Sequence, residues 1–405
     1  MELEVQWCGA RPAHVGTLYQ DRSGTVFFEY ANAWRDGPRE LSPVYLPNST
    51  RGAVSTPTPG FGPLHGLFQD VLPDWWGERL MRWHFESQGI PWSRVTTLRK
   101  LACQGSRKMG ALAFHPALDE DDFNDTMVAE LDLLVDAARH LLRGEPAEVL
   151  DALTFGGMSP GGAQPKAAIA ISDDFSEIRL DDPPSAGFGA WLIKFDVDPA
   201  LHEGRIEAAY AYMAREAGIE VPESRLLESD GACHFLSRRF DRPAGGSRLH
   251  LHSFSGLTHT PLRDGIEYGD LLELTRSLTK DQRCVEEMFR RAVFNVVASN
   301  DDDHGRNHAF LMDDDGRWHP APAYDLTLAT YPLASGFRAG RVNGKAADIT
   351  RRDLIRLADE HDIGNASATI GRVIDTVSRW MDHASARGIP RNTAAVAASQ
   401  HRLSI

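Results

Sequence analysis

Apolar and polar residues alternate along two short stretches early in the chain, Gly16–Tyr19 and Thr25–Tyr30, separated by Asp21-Arg22-Ser23-Gly24. A period of two puts one set of side chains on each face of a strand, and the Asp/Ser/Gly cluster supplies a turn. Residues 2 to about 47 therefore read as short strands. Residues 51–63, rich in Thr, Pro and Gly, read as loop. The period then lengthens. Leu72, Trp76, Leu80, Trp83 and Phe85 predict a helix over 73–87, with Pro73 in its first turn and the tryptophans as core anchors. A turn after Gly105 leads into a strand at Ala111–Phe114.

Beyond an acidic surface connector at 118–125, the residues Met127, Leu131, Leu134, Ala138 and Leu141 share one face of a helix over 126–142. A short helix over 146–153 leads into a loop at 154–165 with four glycines. Glycine lets backbone N–H groups turn toward an anion at little cost, so this loop is a candidate phosphate cradle. Strands follow at Ala167–Ile171 and Ala190–Phe195, then a helix over 203–217 and strands at Ser224–Glu228 and Ala232–Ser237. This strand–loop–strand layout differs from a Walker A motif, in which the loop opens a helix. From about Tyr268 the pattern is helical, over 268–277, 282–298, 349–360 and 366–387. Thr350-Arg351-Arg352-Asp353 opens the third of these with a capping-box pattern. Residues 392–405 hold few core candidates, and no internal repeat is present.

Of the 405 residues, 42% are hydrophobic and 25% charged, ordinary values for a globular enzyme of two or three packed units. No apolar run is long enough to span a bilayer, and the first residues lack the basic and apolar regions of a secretory signal. Cys8, Cys103, Cys233 and Cys284 form no CxxC pair and read as reduced thiols of a cytoplasmic protein. The net charge of −14 argues against a direct, non-specific grip on nucleic acid.

The chemistry concentrates in Asn300-Asp301-Asp302-Asp303-His304-Gly305-Arg306-Asn307 and in Tyr324-Asp325. An Asp, an Asn and a second Asp in that order are the groups a kinase-type phosphoryl transfer requires. One Asp orients or deprotonates the attacking hydroxyl, and the Asn and the other Asp hold Mg²⁺. Spacing alone leaves Asp301, Asp302 and Asp303 open as the first of them. A metal-dependent hydrolase built on Asp302, His304 and His308 is another reading of the same stretch, without any helical metal-binding spacing to support it. Lys194 ends the apolar run Ala190-Trp191-Leu192-Ile193, where an unpaired charge is expensive. Nucleotide phosphates and a carboxylate are its candidate partners. Glu207 and the nearby Glu203, on the predicted helix, are the candidate carboxylates.

At these residues the chain resembles the HipA-like serine/threonine kinases, the toxin components of bacterial toxin–antitoxin pairs. Met158-Ser159-Pro160-Gly161-Gly162-Ala163-Gln164-Pro165-Lys166 is similar to that family's phosphate loop. Trp191-Leu192-Ile193-Lys194 is similar to its ATP-contacting strand, and Arg238-Arg239-Phe240-Asp241-Arg242 to its hinge. Asp302-x-His304-x-x-Asn307 and Tyr324-Asp325 are similar to its catalytic loop and metal-binding Asp, and Phe68–Asp74 to a further family segment. The resemblance covers nearly the whole chain in the family's order.

It implies a bilobed α+β, protein-kinase-like fold in three parts. These are a β-rich subdomain over 1–115, the rest of an N-terminal lobe over 116–255, and a helical C-terminal lobe over 256–405. It implies ATP and Mg²⁺ as cofactors. Asp302 and Lys194 would be catalytic, and Asn307 and Asp325 metal ligands. Ser159, Gly161, Gly162, Ala163, Gln164, Lys194, Arg238, Phe240, Asp241, His304 and Tyr324 would face the nucleotide, with Ser159 autophosphorylated as an off-switch. The resemblance further implies a small HipB-like helix-turn-helix antitoxin as partner, DNA contacted only through it, and a translation component such as an aminoacyl-tRNA synthetase as substrate. The alternative is a catalytically inactive relative that binds an antitoxin–DNA complex. Arg238 where several relatives carry an acid, Pro165 at a variable position, and Asp303 in place of a common glycine depart from the family pattern.

Overall fold

A computed structural model describes residues 1–56, 58–105, 108–117, 130–145, 164–180, 184–229, 231–243, 246–329 and 338–405. The predicted short helix over 146–153 and most of the glycine-rich loop, with Ser159, Gly161, Gly162 and Ala163, lie outside the described residues.

The first layer is an antiparallel sheet of β1 (Glu2–Trp7), β2 (Ala13–Gln20), β3 (Val26–Tyr30) and β4 (Leu112–His115), in the order β3-β2-β1-β4. Inward residues such as Leu3, Val5, Trp7, Leu18 and Phe28 alternate with polar ones, and Phe68 and the helix Thr97–Gln104 cover them. The helix predicted from Pro73 begins at Trp75 instead, because the Asp74 carboxylate caps it by accepting from Gly77 N at 2.7 Å. Pro73 stays outside. The helix Thr97–Gln104 has no counterpart in the sequence reading.

The second sheet contains β5 (Lys166–Ser172), β6 (Ile178–Arg179), β7 (Phe188–Lys194), β8 (Ser224–Ser229) and β9 (Ala232–Arg238), in the antiparallel order β6-β5-β7-β9-β8. Its β5–β7 register sets Lys166 opposite Lys194. One core lies between this sheet and the helices Trp75–Ser87 and Leu131–Arg143; Trp76, Leu134, Leu141, Ile169 and Trp191 fill it. The helix Glu203–Glu216 follows β7 and contacts β9 and β8.

The remaining core is helical, centred on Gln282–Val297, whose Val285, Met288, Phe289, Val293, Phe294 and Val297 are fully buried. A small sheet of β10 (His250–Ser253), β12 (Ala309–Met312) and β13 (Trp318–Pro320), and a two-residue parallel pair of β11 (Ile266–Glu267) and β14 (Gly340–Arg341), bracket the segment that carries Asp302. The Thr350–Asp353 capping box forms as its spacing predicts. The predicted helix over 366–387 is broken at Arg379 into Ala366–Ser378 and Trp380–Ser385. Contrary to expectation, residues 391–400 form a helix that buries Ala394 and Ala397. No described helix is long and apolar enough to cross a membrane.

Candidate active site

Lys194 comes off the end of β7 between two carboxylates. Its Nζ lies 2.5 Å from Glu207 Oε1 and also donates to Asp325 Oδ1. All three groups are largely removed from water. Burial disfavours the ammonium, but the two carboxylates outweigh it and hold Lys194 above the ordinary lysine range. Burial likewise works against charge on Asp325, yet Lys194 and Lys166 hold its pKa at about 2. Glu207 is pushed up by burial and by Asp325, against the pull of Lys194. Glu203, the other candidate, instead accepts from Gln164 Nε2 at 3.2 Å. Asp325 adopts φ +58°, a left-handed conformation that Asp tolerates better than most residues.

Lys166 sits beside this group because of the strand register. It forms an ion pair with Asp74 at 3.8 Å, and Trp76 Nε1 donates to its carbonyl at 3.0 Å. Burial lowers its pKa, and Lys194 lowers it further. One cavity is lined by Lys166, Lys194, Glu207, Asn307 and Asp325. A neighbouring cavity is lined by Met109, Arg238, Phe240, Asp70 and Arg306, and Leu192, Ser237 and Tyr324 border both. Two groups of predicted residues, phosphate-side and hinge-side, thus face adjoining spaces.

The three consecutive aspartates separate by direction. Asp301 and Asp303 turn inward and Asp302 stays exposed. Asp303 is fully buried: it pairs with Arg338, accepts from Tyr268 Oη at 2.5 Å, and accepts from Gly340 N at 2.7 Å. A Cβ at position 340 would fall 2.4 Å from its carboxylate, which explains a glycine there. Asp302 has no such partners among the described residues. The surrounding loop strips some water from its carboxyl, and this, with repulsion from Asp325 and Asp303, raises its pKa against the pull of His304. Asn307 Nδ2 donates to the Asp302 carbonyl at 2.9 Å, and the residue lines the first cavity. Tyr324 Oη donates to the Arg306 carbonyl at 2.5 Å and its ring lies 5.7 Å from Phe240.

Two predicted residues are placed differently from expectation. The Asp241 carboxylate does not face the cleft: it is fully buried under Arg239, Arg242 and Gly110 N, at 2.9, 2.7 and 2.7 Å. Burial opposes its charge, but the two guanidinium groups hold its pKa at about 2. Arg238 lines the second cavity, and its guanidinium lies 5.3 Å from the Trp191 ring. Among the described residues, no set of three His, Cys, Asp or Glu side chains could hold a metal, so Asp302, His304 and His308 do not form a hydrolase centre. Two residues lay in segments singled out from the sequence but were given no role there: Asp70, which accepts from Ser253 N and Oγ at 2.7 Å each, and Arg306, which donates to the Gln69 carbonyl at 3.4 Å.

The "HipA-like C-terminal domain" family matches residues 158–384, and the "HipA N-terminal domain" family matches residues 7–115. The chain belongs to the HipA-like family. Among curated relatives, "Putative kinase Y4dM" of Sinorhizobium fredii is 24% identical over 385 residues, covering 90% of this chain and 88% of its own length. "Putative kinase Y4mE" of the same organism is 27% identical over 375 residues, covering 87% and 83%. The "Serine/threonine-protein kinase toxin HipA" of Shewanella oneidensis is 32% identical over 102 residues, 25% of this chain and 21% of that one. A solved structure of the Shewanella oneidensis MR-1 HipA, HipB and operator DNA complex matches 98% of this chain and 95% of that one, with a TM-score of 0.71 and 18% identity. The likeness establishes the bilobed α+β, kinase-like HipA fold.

Proposed function

We propose that this HipA-like protein is a Mg²⁺- and ATP-dependent serine/threonine protein kinase. The observation that carries the reading is the buried Lys194, held between Glu207 and Asp325, with Asn307 on the wall of the same cavity. Such a cluster is costly to bury unless it meets a charged ligand. It offers a cation for the phosphates and two oxygen donors for a hard metal.

In this reading ATP lies between the part of the chain up to about residue 255 and the helical part after it. Leu192, Tyr324, Phe240 and Arg238 face the base and ribose. Lys194, fixed by Glu207, meets the α- and β-phosphates, which the family resemblance would have the loop from Ser159 to Gln164 cover. The ionised Asp325 and the Oδ1 of Asn307 suit Mg²⁺, which would neutralise phosphate charge when bound. Asp302 orients the attacking hydroxyl and takes its proton. The Ser or Thr oxygen bonds to the γ-phosphorus as the bond to the bridging oxygen breaks and ADP leaves. A raised carboxyl pKa suits that role, and His304 stands beside it.

Family membership supports a bacterial toxin role, with a HipB-like antitoxin supplying any DNA contact and a translation component such as an aminoacyl-tRNA synthetase as target. Phosphate on Ser159 would add up to about two negative charges beside those of the nucleotide and expel the loop. Titration with a non-hydrolysable ATP analogue tests the site: wild type binds it more tightly with Mg²⁺, and Asp325→Asn loses the Mg²⁺ dependence. Equal binding by both proteins, with or without Mg²⁺, would exclude the assignment.

A further inference from the structure

The segment after the Arg391–Gln400 helix closes on the root of the loop that carries Asp302. Arg402 reaches Asp301 with both terminal nitrogens, Nη1 to Oδ1 and Nη2 to Oδ2, each at 2.7 Å. This two-point geometry fixes direction as well as distance. Asp301 is buried, whereas the Arg402 side chain keeps 39% of its exposure. The Arg402 backbone N–H donates to the Val297 carbonyl at 2.8 Å, and Nη1 also meets the Val296 carbonyl at 3.2 Å.

Neighbouring residues extend the clamp. Ser299 Oγ donates to the Gln400 carbonyl at 2.5 Å. His401 Nε2 lies 3.0 Å from Tyr210 Oη, which itself donates to the Ala298 carbonyl at 2.7 Å. Tyr210 lies one turn after Glu207 on the same helix. One short segment therefore ties the helix that holds Lys194 to the turn that presents Asp302.

We infer that Arg402 is a positioning residue for phosphoryl transfer: its two-point ion pair with Asp301 sets the direction of Asp302. The catalytic consequence of this ion pair rests on the kinase reading; its geometry does not. Among the described residues no side chain anchors the Asp302 carboxylate, whereas both of its neighbours are held, so its orientation is inherited from its flanks. Asp303 is held on one side by Arg338, Tyr268 and Gly340. On the other side Asp301 is held by Arg402, with Arg338 more distant at 3.5 Å. Arg402 touches neither cavity, so its loss acts on orientation and leaves nucleotide affinity alone.

The test compares wild type, Arg402→Gln and Arg402→Lys in the full chain. Autophosphorylation kcat should fall about 10- to 100-fold in Arg402→Gln, the scale expected of an ångström-sized misplacement. The KM for ATP should stay within twofold, and Arg402→Lys should recover part of the loss. Hydrogen exchange provides a readout independent of catalysis: amides of residues 299–304 should lose protection in Arg402→Gln while those of β7 and β9 do not. If wild type transfers no phosphate, the kinase reading fails and the exchange pattern alone decides the coupling. Unchanged kcat in an active enzyme, or unchanged exchange at 299–304, overturns the inference. Should Arg402→Gln fail to fold, Arg402→Lys replaces it in both measurements, with a smaller loss expected and full wild-type behaviour overturning the proposal.

Discussion

Replacing Glu207 by Gln removes one charge from the Lys194 cluster at almost constant volume. The pair is close, 2.5 Å, and both side chains are less than a tenth exposed. At an effective dielectric of about 20, two unit charges at that distance attract by roughly 7 kcal/mol, a gross figure from which desolvation is subtracted. Breaking a buried pair by removing one partner costs about 3–5 kcal/mol. Lys194 retains Asp325 in the variant, so the expected loss is near the low end, about 3 kcal/mol, read by urea denaturation. The kinetic consequence is separate. Without Glu207 the ammonium is drawn wholly to Asp325, away from the phosphates and onto the carboxylate assigned to Mg²⁺. A shift of about 1 Å is enough for a loss of roughly 100-fold in phosphotransfer. Radiolabel transfer from ATP measures it. Glu207→Gln with phosphotransfer within threefold of wild type and an unchanged denaturation midpoint would refute this account of Lys194.

Further outcomes follow from the same geometry. Asp303→Asn leaves Arg338 without its closest buried partner and should destabilise the fold by about 3–5 kcal/mol, whereas Asp302→Asn should leave the denaturation midpoint nearly unchanged. Trp76→Ala should cost about 3–5 kcal/mol by emptying the core between the second sheet and its covering helices, and should also weaken nucleotide binding by freeing Lys166. Asp241 falls from an ordinary 3.8 to about 2 on folding, so it contributes stability above pH 4 that is lost as pH falls through about 2. That contribution is about 2 kcal/mol, and Asp241→Asn should flatten this part of the acid limb in pH-dependent unfolding. Asp302 is raised instead and must be ionised to take a proton, so kcat/KM should decline on the acid side around a midpoint above the usual Asp value, read from the pH–rate profile.

Much of this site was legible in the sequence because its parts lie on regular elements. A lysine ending an apolar strand and a glutamate on the next helix announce a pair, and the structure joins Lys194 to Glu207 rather than Glu203. The structure leaves Asp302 exposed and buries Asp301 and Asp303 on either side of it. Spacing alone left all three open. Lys166 was invisible as a member of the cluster, since only the antiparallel register sets it opposite Lys194. Asp70, Arg338 and Arg402 reach the site's surroundings from distant parts of the chain, through contacts that no local pattern encodes. Asp241 was misplaced for a related reason: its neighbours Arg239 and Arg242 fold back onto it and draw it inward, away from the cleft. The helix over 391–400 escaped notice because its buried positions are alanines, which carry little periodic signal.

The most direct test of the kinase reading is intact-mass analysis of protein shown to be unmodified at the start, incubated with Mg·ATP, alongside Asp302→Asn. The account predicts a gain of one phosphate in wild type, mapping to Ser159 by peptide fragmentation, and none in Asp302→Asn. An equal gain in both proteins would contradict the role given to Asp302, and no transfer by wild type to itself or to any protein of a cell extract would contradict the kinase reading as a whole.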